Sequence, residues 1–249
     1  MHHKIQKMTK CLKAADDVMG KALMDYQNGI IGAELIVKTN VAEDEPYDVA
    51  YFFRNYDEMP LLEQKALELA KGEILDVGAG TGIHCLALQK MNKECKAIEI
   101  SELSVDIMKS RGVNNAECID FFELKEQKYD TILFLMNGIG LVETLSGFER
   151  FFNHCKTILN PDGQILFDSS DLIYLFEEED GSFLIDLHDK YYGEVEFQVD
   201  YECASGEPFP WLFIDFDNMQ HYAEQNGFNA EIIETGQHYD YLAKLTLKK

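Results

Sequence analysis

The stretch Glu73-Ile74-Leu75-Asp76-Val77-Gly78-Ala79-Gly80-Thr81-Gly82-Ile83-His84 decides the fold. Ile74 to Val77 is a short, mostly apolar run, which predicts a buried strand. Gly78, Gly80 and Gly82 then alternate, giving a turn whose backbone can take positive φ and approach a ligand closely. Ile83, Leu86, Ala87 and Met91 follow at helical spacing. A strand, a glycine turn and a helix begin a β-α-β unit, and the helix start offers unbonded amides. In a doubly wound sheet this turn lies at the carboxyl edge, where such folds bind ligands. A second strand, Cys95 to Ile100, carries Glu99, 21 residues beyond Gly78. A carboxylate there can accept both hydroxyls of an adenosine ribose.

The dinucleotide fingerprint is G-x-G-x-x-G. Here the third glycine comes one residue early, and position 83 is isoleucine. Asp76 stands just before the turn, where it would repel a pyrophosphate and could orient an ammonium group. Both features argue against NAD and for S-adenosylmethionine.

Outward from this stretch the alternation continues. A helix is predicted from Pro60 to Lys71, with Gly72 closing it. Beyond the second strand come a helix over Glu102 to Arg111, a short strand at Glu117 to Ile119 and an apolar strand from Thr131 to Met136. Phe148, Phe151, Phe152, Cys155, Ile158 and Leu159 follow helical spacing. Asn160-Pro161-Asp162-Gly163 reads as a turn into a strand from Gln164 to Phe167. Two last strands are predicted at Ala230 to Ile233 and Tyr241 to Leu247. The pattern implies α/β architecture with a doubly wound, mostly parallel sheet.

Two segments stand outside it. Residues 1–59 read as a helical N-terminal cap, with a helix over Ala14 to Tyr26 and a mixed stretch at 36–58. In 172–210, Tyr191, Val195, Phe197, Val199 and Tyr201 alternate with polar residues, an antiparallel strand with one wet face. Phe209 to Ile214 would return as its hairpin partner. Residues 60–249 then form the cofactor-binding domain, with 172–210 a β-hairpin lid.

Composition sets the outer limits. With 249 residues the chain can bury a sizeable core in one large domain. Against 22 basic residues stand 45 acidic ones, a formal charge of −23. Such a surface disfavours nucleic acid and anionic membranes as partners. The longest apolar stretch, near Thr131 to Val142, is too short to span a bilayer. The N-terminus shows no signal-peptide core. The six cysteines form no CxxC pair and no cluster with zinc-ligand spacing, so no metal is expected. They read as reduced thiols of a cytoplasmic protein, with Cys85 and Cys155 on apolar helix faces.

The chain resembles the class I S-adenosylmethionine-dependent methyltransferases over about residues 60–249. Asp76-Val77-Gly78-Ala79-Gly80-Thr81-Gly82 resembles their first motif, which holds the methionine end of the cofactor. Glu99 matches the ribose ligand, and Ile100 the apolar contact with adenine. Asp120-Phe121 matches the pair that binds the adenine amino group and lines its ring. Asp130 to Asn137 resembles the fourth strand, Leu159 to Gly163 the turn into the fifth, and Tyr239 to Leu247 the antiparallel seventh and last. The resemblance implies a seven-stranded Rossmann-like sheet and S-adenosyl-L-methionine as cofactor. It also implies that the cap and hairpin lie over a pocket for a small-molecule acceptor, although both could equally serve only to cover the sheet.

Methyl transfer from a sulfonium is an in-line displacement, so positioning and desolvation supply much of the catalysis. A base is needed only for a protonated acceptor. Candidates are Asn137, Asp168, His188 and Tyr192, with Ser169, Ser170, Asp171, Tyr191 and Trp211 near the same edge or in the lid. Asn137 could bind the cofactor ammonium, touch the substrate or simply form a turn. It does not begin an Asn-Pro-Pro-aromatic signature, which disfavours nucleobase and glutamine substrates. Asp120 could equally cap the next turn. Arg54, within Tyr51-Phe52-Phe53-Arg54-Asn55-Tyr56, could pair the cofactor carboxylate or lie exposed. His84 is assigned to structure. Two other functions stand beside the small-molecule enzyme: a protein methyltransferase, and a non-catalytic cofactor-binding protein. The sequence leaves the acceptor and the oligomeric state open.

Overall fold

Asp17 accepts a hydrogen bond from the Gly20 amide and so caps helix α1 (Val18–Gln27). Strands β1 (Leu35–Thr39) and β2 (Glu45–Tyr47), a 3-10 turn (Val49–Phe53) and helix α2 (Leu61–Leu69) follow. Then come β3 (Ile74–Val77), α3 (Ile83–Lys90), β4 (Cys95–Glu99), α4 (Glu102–Arg111) and β5 (Ala116–Cys118). Next are β6 (Tyr129–Phe134), a 3-10 turn (Gly138–Val142), α5 (Phe148–Ile158) and β7 (Leu159–Ser170). The chain continues through β8 (Glu194–Tyr201), β9 (Ala204–Ser205) and β10 (Phe209–Leu212). It ends with α6 (Phe216–Gln225), β11 (Phe228–Thr235) and β12 (Asp240–Leu247). This computed structural model describes residues 11–32, 34–125, 127–178, 180–184 and 190–249.

The main sheet has seven strands in the order β11-β12-β7-β6-β3-β4-β5. β7, β6, β3, β4 and β5 are parallel, and β12 runs antiparallel to both β7 and β11. This is the doubly wound sheet with an antiparallel last strand that the sequence predicts. Period-two alternation feeds two cores. Leu75, Val77, Ile132, Phe134, Ile165 and Phe167 face α5 and α6, whereas Ile74, Leu133 and Leu166 face α2 and α3. In α5, Phe148, Phe151, Phe152, Cys155 and Ile158 are all fully buried, each large side chain contributing roughly 1.5–3 kcal/mol.

The Asn160–Gly163 turn lies inside β7. Pairing with β6 steps from Tyr129↔Leu159 to Thr131↔Gln164, so these four residues loop out before the strand resumes.

The cap and the insertion meet in a second, antiparallel sheet of order β10-β8-β1-β2, with β9 on β8. The predicted hairpin is present, Phe209 opposite Phe197 and Leu212 opposite Glu194. The cap holds two strands besides its helix, and β1 pairs all five of its residues with β8. Only Leu35 of β1 is fully buried, so neither period marks these short strands in the sequence.

The cysteine reading needs one correction. Cys85 on α3 and Cys95 on β4 are joined as a disulfide, with a Cα–Cα separation of 5.6 Å. The face of α3 that carries Cys85 packs toward the start of β4. Cys155 is free and buried in the core.

Candidate active site

Gly78, Gly80 and Gly82 all have positive φ, 69°, 56° and 80°. A Cβ at Gly78 or Gly80 would meet nothing within 4 Å, so open space lies before both. At Gly82 it would lie 2.6 Å from Val113 Cγ2 and 2.9 Å from Met108 Cγ. The first two glycines therefore leave a cradle, and the third permits close packing against α4 and the loop after it. Ala79 between them is buried, and its amide donates to Ile98 O.

Glu99, at the end of β4, faces this cradle. Its Oε2 accepts from the Gly80 amide at 3.0 Å, and its Oε1 from Ile100 and Ser101 amides at 2.8 and 3.3 Å. These donors orient the carboxylate beside the loop, although burial pushes its pKa up. Ile100 is half-buried, and its carbonyl accepts from the Leu12 amide. Asp120 is buried and caps the turn Phe121–Glu123 by accepting from the Phe122 amide. The Phe121 ring turns into the core against Phe134 and His154, at 5.2 and 4.7 Å between centroids, leaving 4% of the residue exposed.

Behind the loop runs a chain of alternating charge. Arg54 of the cap is bonded through Nη2 to both oxygens of Glu63 on α2, and its guanidinium stacks on Tyr51 at 3.8 Å. Glu63 Oε2 lies 2.8 Å from His84 Nε2, and His84 Nδ1 lies 3.8 Å from Asp76 Oδ1. All four residues are buried. Burial pushes Asp76 up to about 6, helped by Glu99 and Glu63 and opposed by His84. For His84, burial alone would lower the pKa, but Glu63 and Asp76 reverse the sign and raise it. For Glu63, burial is outweighed by His84 and Arg54, and the pKa falls. Arg54 Nε and Asp76 Oδ2, at the two ends of the chain, are buried without a partner among the described residues. Arg54 is thus neither exposed nor free: Glu63 already holds it, and Nε is the donor left over.

The reactive edge is built from the ends of β6 and β7. Met136 and Asn137 follow β6 with φ of 56° and 55°. Left-handed backbone is rare for a non-glycine residue, and methionine has no local compensation, so strain is stored at this edge. Asn137 Oδ1 accepts from Ser169 Oγ at 2.8 Å, and its Nδ2 donates to Leu212 O at 3.3 Å. Its amide donates to Asp168 Oδ2 at 3.1 Å. Asp168 is half-buried as a residue, but its Oδ1 is buried and has no partner among the described residues. Burial pushes Asp168 up to about 7, against the Asn137 amide bond. Asp171 caps the turn Leu172–Phe176 and accepts from Tyr192 Oη at 2.7 Å. Tyr191 Oη donates to Asp215, and Trp211 packs against Gly140. His188 lies outside the described residues.

The structure places Asp76, Gly78, Ala79, Gly80, Glu99, Asn137 and Asp168 along one sheet edge. It adds Glu63 and Arg111. A glutamate amid Leu62, Ala66 and Leu67 on α2 gives no signal until His84 and Arg54 are placed beside it. Arg111, ending α4, donates to Thr81 O and Oγ1 at 2.8 and 2.7 Å and stacks on Phe53. Thr81 Oγ1 in turn donates to Phe52 O. The cap is therefore fastened onto the glycine loop. Asp76, Cys85 and Cys95 also cluster, their donor atoms within 4.8 Å, but the two sulfurs are spent on each other.

Fold and edge together define a class: an α/β protein with a doubly wound sheet and an open glycine loop at the carboxyl ends of its strands. A family model for a methyltransferase domain matches residues 49–235. A solved S-adenosylmethionine-dependent methyltransferase from Bacteroides fragilis, in complex with S-adenosylhomocysteine, is 48% identical. The match covers 97% of this chain and 99% of that one, with a TM-score of 0.90. The CcbJ methyltransferase from Streptomyces caelestis shares the fold at 14% identity, over 82% of this chain and all of that one, TM-score 0.56. The PH0226 protein from Pyrococcus horikoshii OT3 does so at 20% identity, over 75% and 88%, TM-score 0.56. Among curated proteins none matches the chain. The chain belongs to the class I methyltransferase family and is an S-adenosylmethionine-dependent methyltransferase.

Proposed function

We propose that this enzyme methylates a small molecule, enclosed between the carboxyl edge of the main sheet and the sheet shared by cap and insertion. One observation carries the reading: the reactive edge is roofed by the chain's own backbone. Phe52 O is bonded to Thr81, Leu212 O to Asn137, and the Ile214 amide to Ser169 Oγ. A protein substrate needs an open groove for an extended chain, and these bonds tie cap and insertion down on both sides of the edge.

The residues present fit the cofactor. The open space at Gly78 and Gly80 suits close approach of a ligand to backbone. Asp76 Oδ2 suits an ammonium, Arg54 Nε a carboxylate, and Glu99 the ribose hydroxyls. By the family resemblance Ile100, Asp120 and Phe121 would line the adenine, although the Phe121 ring is turned into the core and Asp120 caps the next turn. When bound, the cofactor supplies a methyl group already activated on a sulfonium. The protein's task is then to position the acceptor, exclude water and manage its proton, and Asp168 and Asn137 at the reactive edge are the residues to which we assign it.

The test pairs binding with transfer. Calorimetric titration should give saturable S-adenosylmethionine binding, weakened by Glu99→Ala. Labelled methyl from the cofactor should enter material in cell extract that survives protease digestion. Label that disappears on protease treatment would overturn the small-molecule reading and favour a protein acceptor.

A further inference from the structure

We propose that the methyl acceptor is an amine, and that Asp168 binds its ammonium form and takes its proton. The proposal rests on the small-molecule reading and narrows it.

The geometry starts from unpaired oxygen. Asp168 Oδ2 is held by the Asn137 amide, while Oδ1 is buried with no partner among the described residues. A buried acceptor without a donor costs roughly 1–3 kcal/mol, and more when charged. Such a group persists where a ligand completes it. The groups whose charges bear on it are Glu63 from α2, His84 from α3, Tyr51 from the cap and Tyr241 from β12.

Charge then selects the ligand. The two basic side chains of this cluster, Arg54 and His84, are both bonded to Glu63. Two carboxylates, Asp76 and Asp168, each retain a buried oxygen with no donor among the described residues. The cofactor's methionine end carries one ammonium, which can complete only one of them. The other calls for a positive donor from the acceptor. A carboxylate or phosphate acceptor would instead meet repulsion.

The chemistry separates amine from alcohol. With Asp168 pushed up to about 7, an alkylammonium near 10 lies within about three units of its base. An alcohol, comparable with water at about 16, lies far beyond it. The step balances as follows. The ammonium N–H passes its proton to Asp168 Oδ1 and keeps the electron pair on nitrogen. That pair forms the N–C bond as the C–S bond breaks, its electrons going to sulfur. The product is a methylated ammonium, and Asp168 returns its proton to solvent.

The experiment uses cofactor labelled with ¹³C in the transferred methyl. It is given to the full-length protein with an equimolar panel of aliphatic amines, amino alcohols and matched alcohols, and separately with deproteinised cell extract. The ¹³C shift of each product reports the methylated atom. Label on nitrogen is expected. Asp168→Asn should lower kcat/KM for the amine at least hundredfold, the range of general acid–base catalysis, while the cofactor Kd changes less than threefold. Asp168→Glu should recover part of the loss. Retained cofactor binding shows that the variants are folded. Label on oxygen, sulfur or carbon overturns the amine assignment but leaves the small-molecule reading standing. No transfer by a protein that binds cofactor, or full activity in Asp168→Asn, overturns it too. Label that enters only protease-sensitive material when whole extract is used instead removes both.

Discussion

Gly80 and Gly82 share a left-handed backbone, yet a methyl group added to each meets different surroundings. Gly80→Ala meets only the backbone penalty of roughly 1–2 kcal/mol and projects into the cradle. It should leave the fold intact and weaken cofactor binding. Gly82→Ala adds a clash with Val113 and Met108 and should cost a further 1–3 kcal/mol by overpacking. Thermal unfolding and calorimetry on the two variants check the contrast; equal losses of stability would refute it. Asp168 gives the complementary case, a group that costs stability. Its folded pKa, about 7, lies above the usual 3.8, so between these values the folded state holds a proton that the unfolded state has lost. Stability therefore falls as pH rises across that window, and levels off above it. Asp168→Asn escapes this cost. Its gain in ligand-free stability should grow from about pH 4 to pH 7, read by denaturant titration at each pH. A gain independent of pH would show that Asp168 is not buried as an acid. Glu63 has the opposite sign. Lowered by His84 and Arg54 despite burial, it contributes stability above its usual pKa of 4.5 that is lost in more acid solution. Glu63→Gln would leave Arg54 and His84 without their counter-ion and should cost roughly 3–5 kcal/mol at neutral pH. The sequence shows Asp76 and Glu99 because strand, turn and strand fix their places locally. It conceals Glu63 and assigns His84 only to structure, because their roles depend on partners in other elements.

At the scale of elements, local periodicity made the main sheet and its helices legible. The 3.6-residue repeat of α5 and the short apolar strands each bury a face that shows in the sequence. What stayed hidden was the union of β1 and β2 with β8. A half-buried strand takes its meaning from the strand it pairs with, and here that partner lies far along the chain. The hairpin read as a lid is therefore also the structural partner of the cap. Removing it whole would leave β1 paired with β2 alone and, with Tyr201 gone, uncover the small core at Leu35 and Val49. Trp211 offers a finer probe. Its ring fills the space that a side chain at Gly140 would occupy, so it docks β10 onto the turn after β6. Trp211→Ala should loosen this contact while sparing the glycine loop. Transfer should fall roughly ten- to hundredfold, the order expected when an acceptor is misplaced by about 1 Å, with cofactor affinity unchanged. Parallel loss of cofactor binding would mean that the roof and the glycine loop are not separable.

Over the whole molecule the formal charge of −23 acts in two directions that salt should separate. Like charges crowded on a folded surface repel, which weakens the compact state. The same surface potential draws in a cation and speeds its arrival at a site lined by carboxylates. Screening shortens the reach of both, from about 30 Å at 0.01 M salt to about 3 Å at 1 M. Raising sodium chloride across this range should therefore raise the Tm of the ligand-free protein. It should also lower kcat/KM for a cationic amine several-fold. The buried ion pairs of Arg54, Glu63 and His84 are shielded from bulk ions, so kcat itself should hold nearly constant. The two readouts bear on different claims. A Tm that rises with an unchanged kcat/KM would accept the electrostatics of the surface and count against a charged acceptor. If kcat/KM for a neutral acceptor fell equally, the loss would lie in the enzyme itself, and steering would be excluded as its cause.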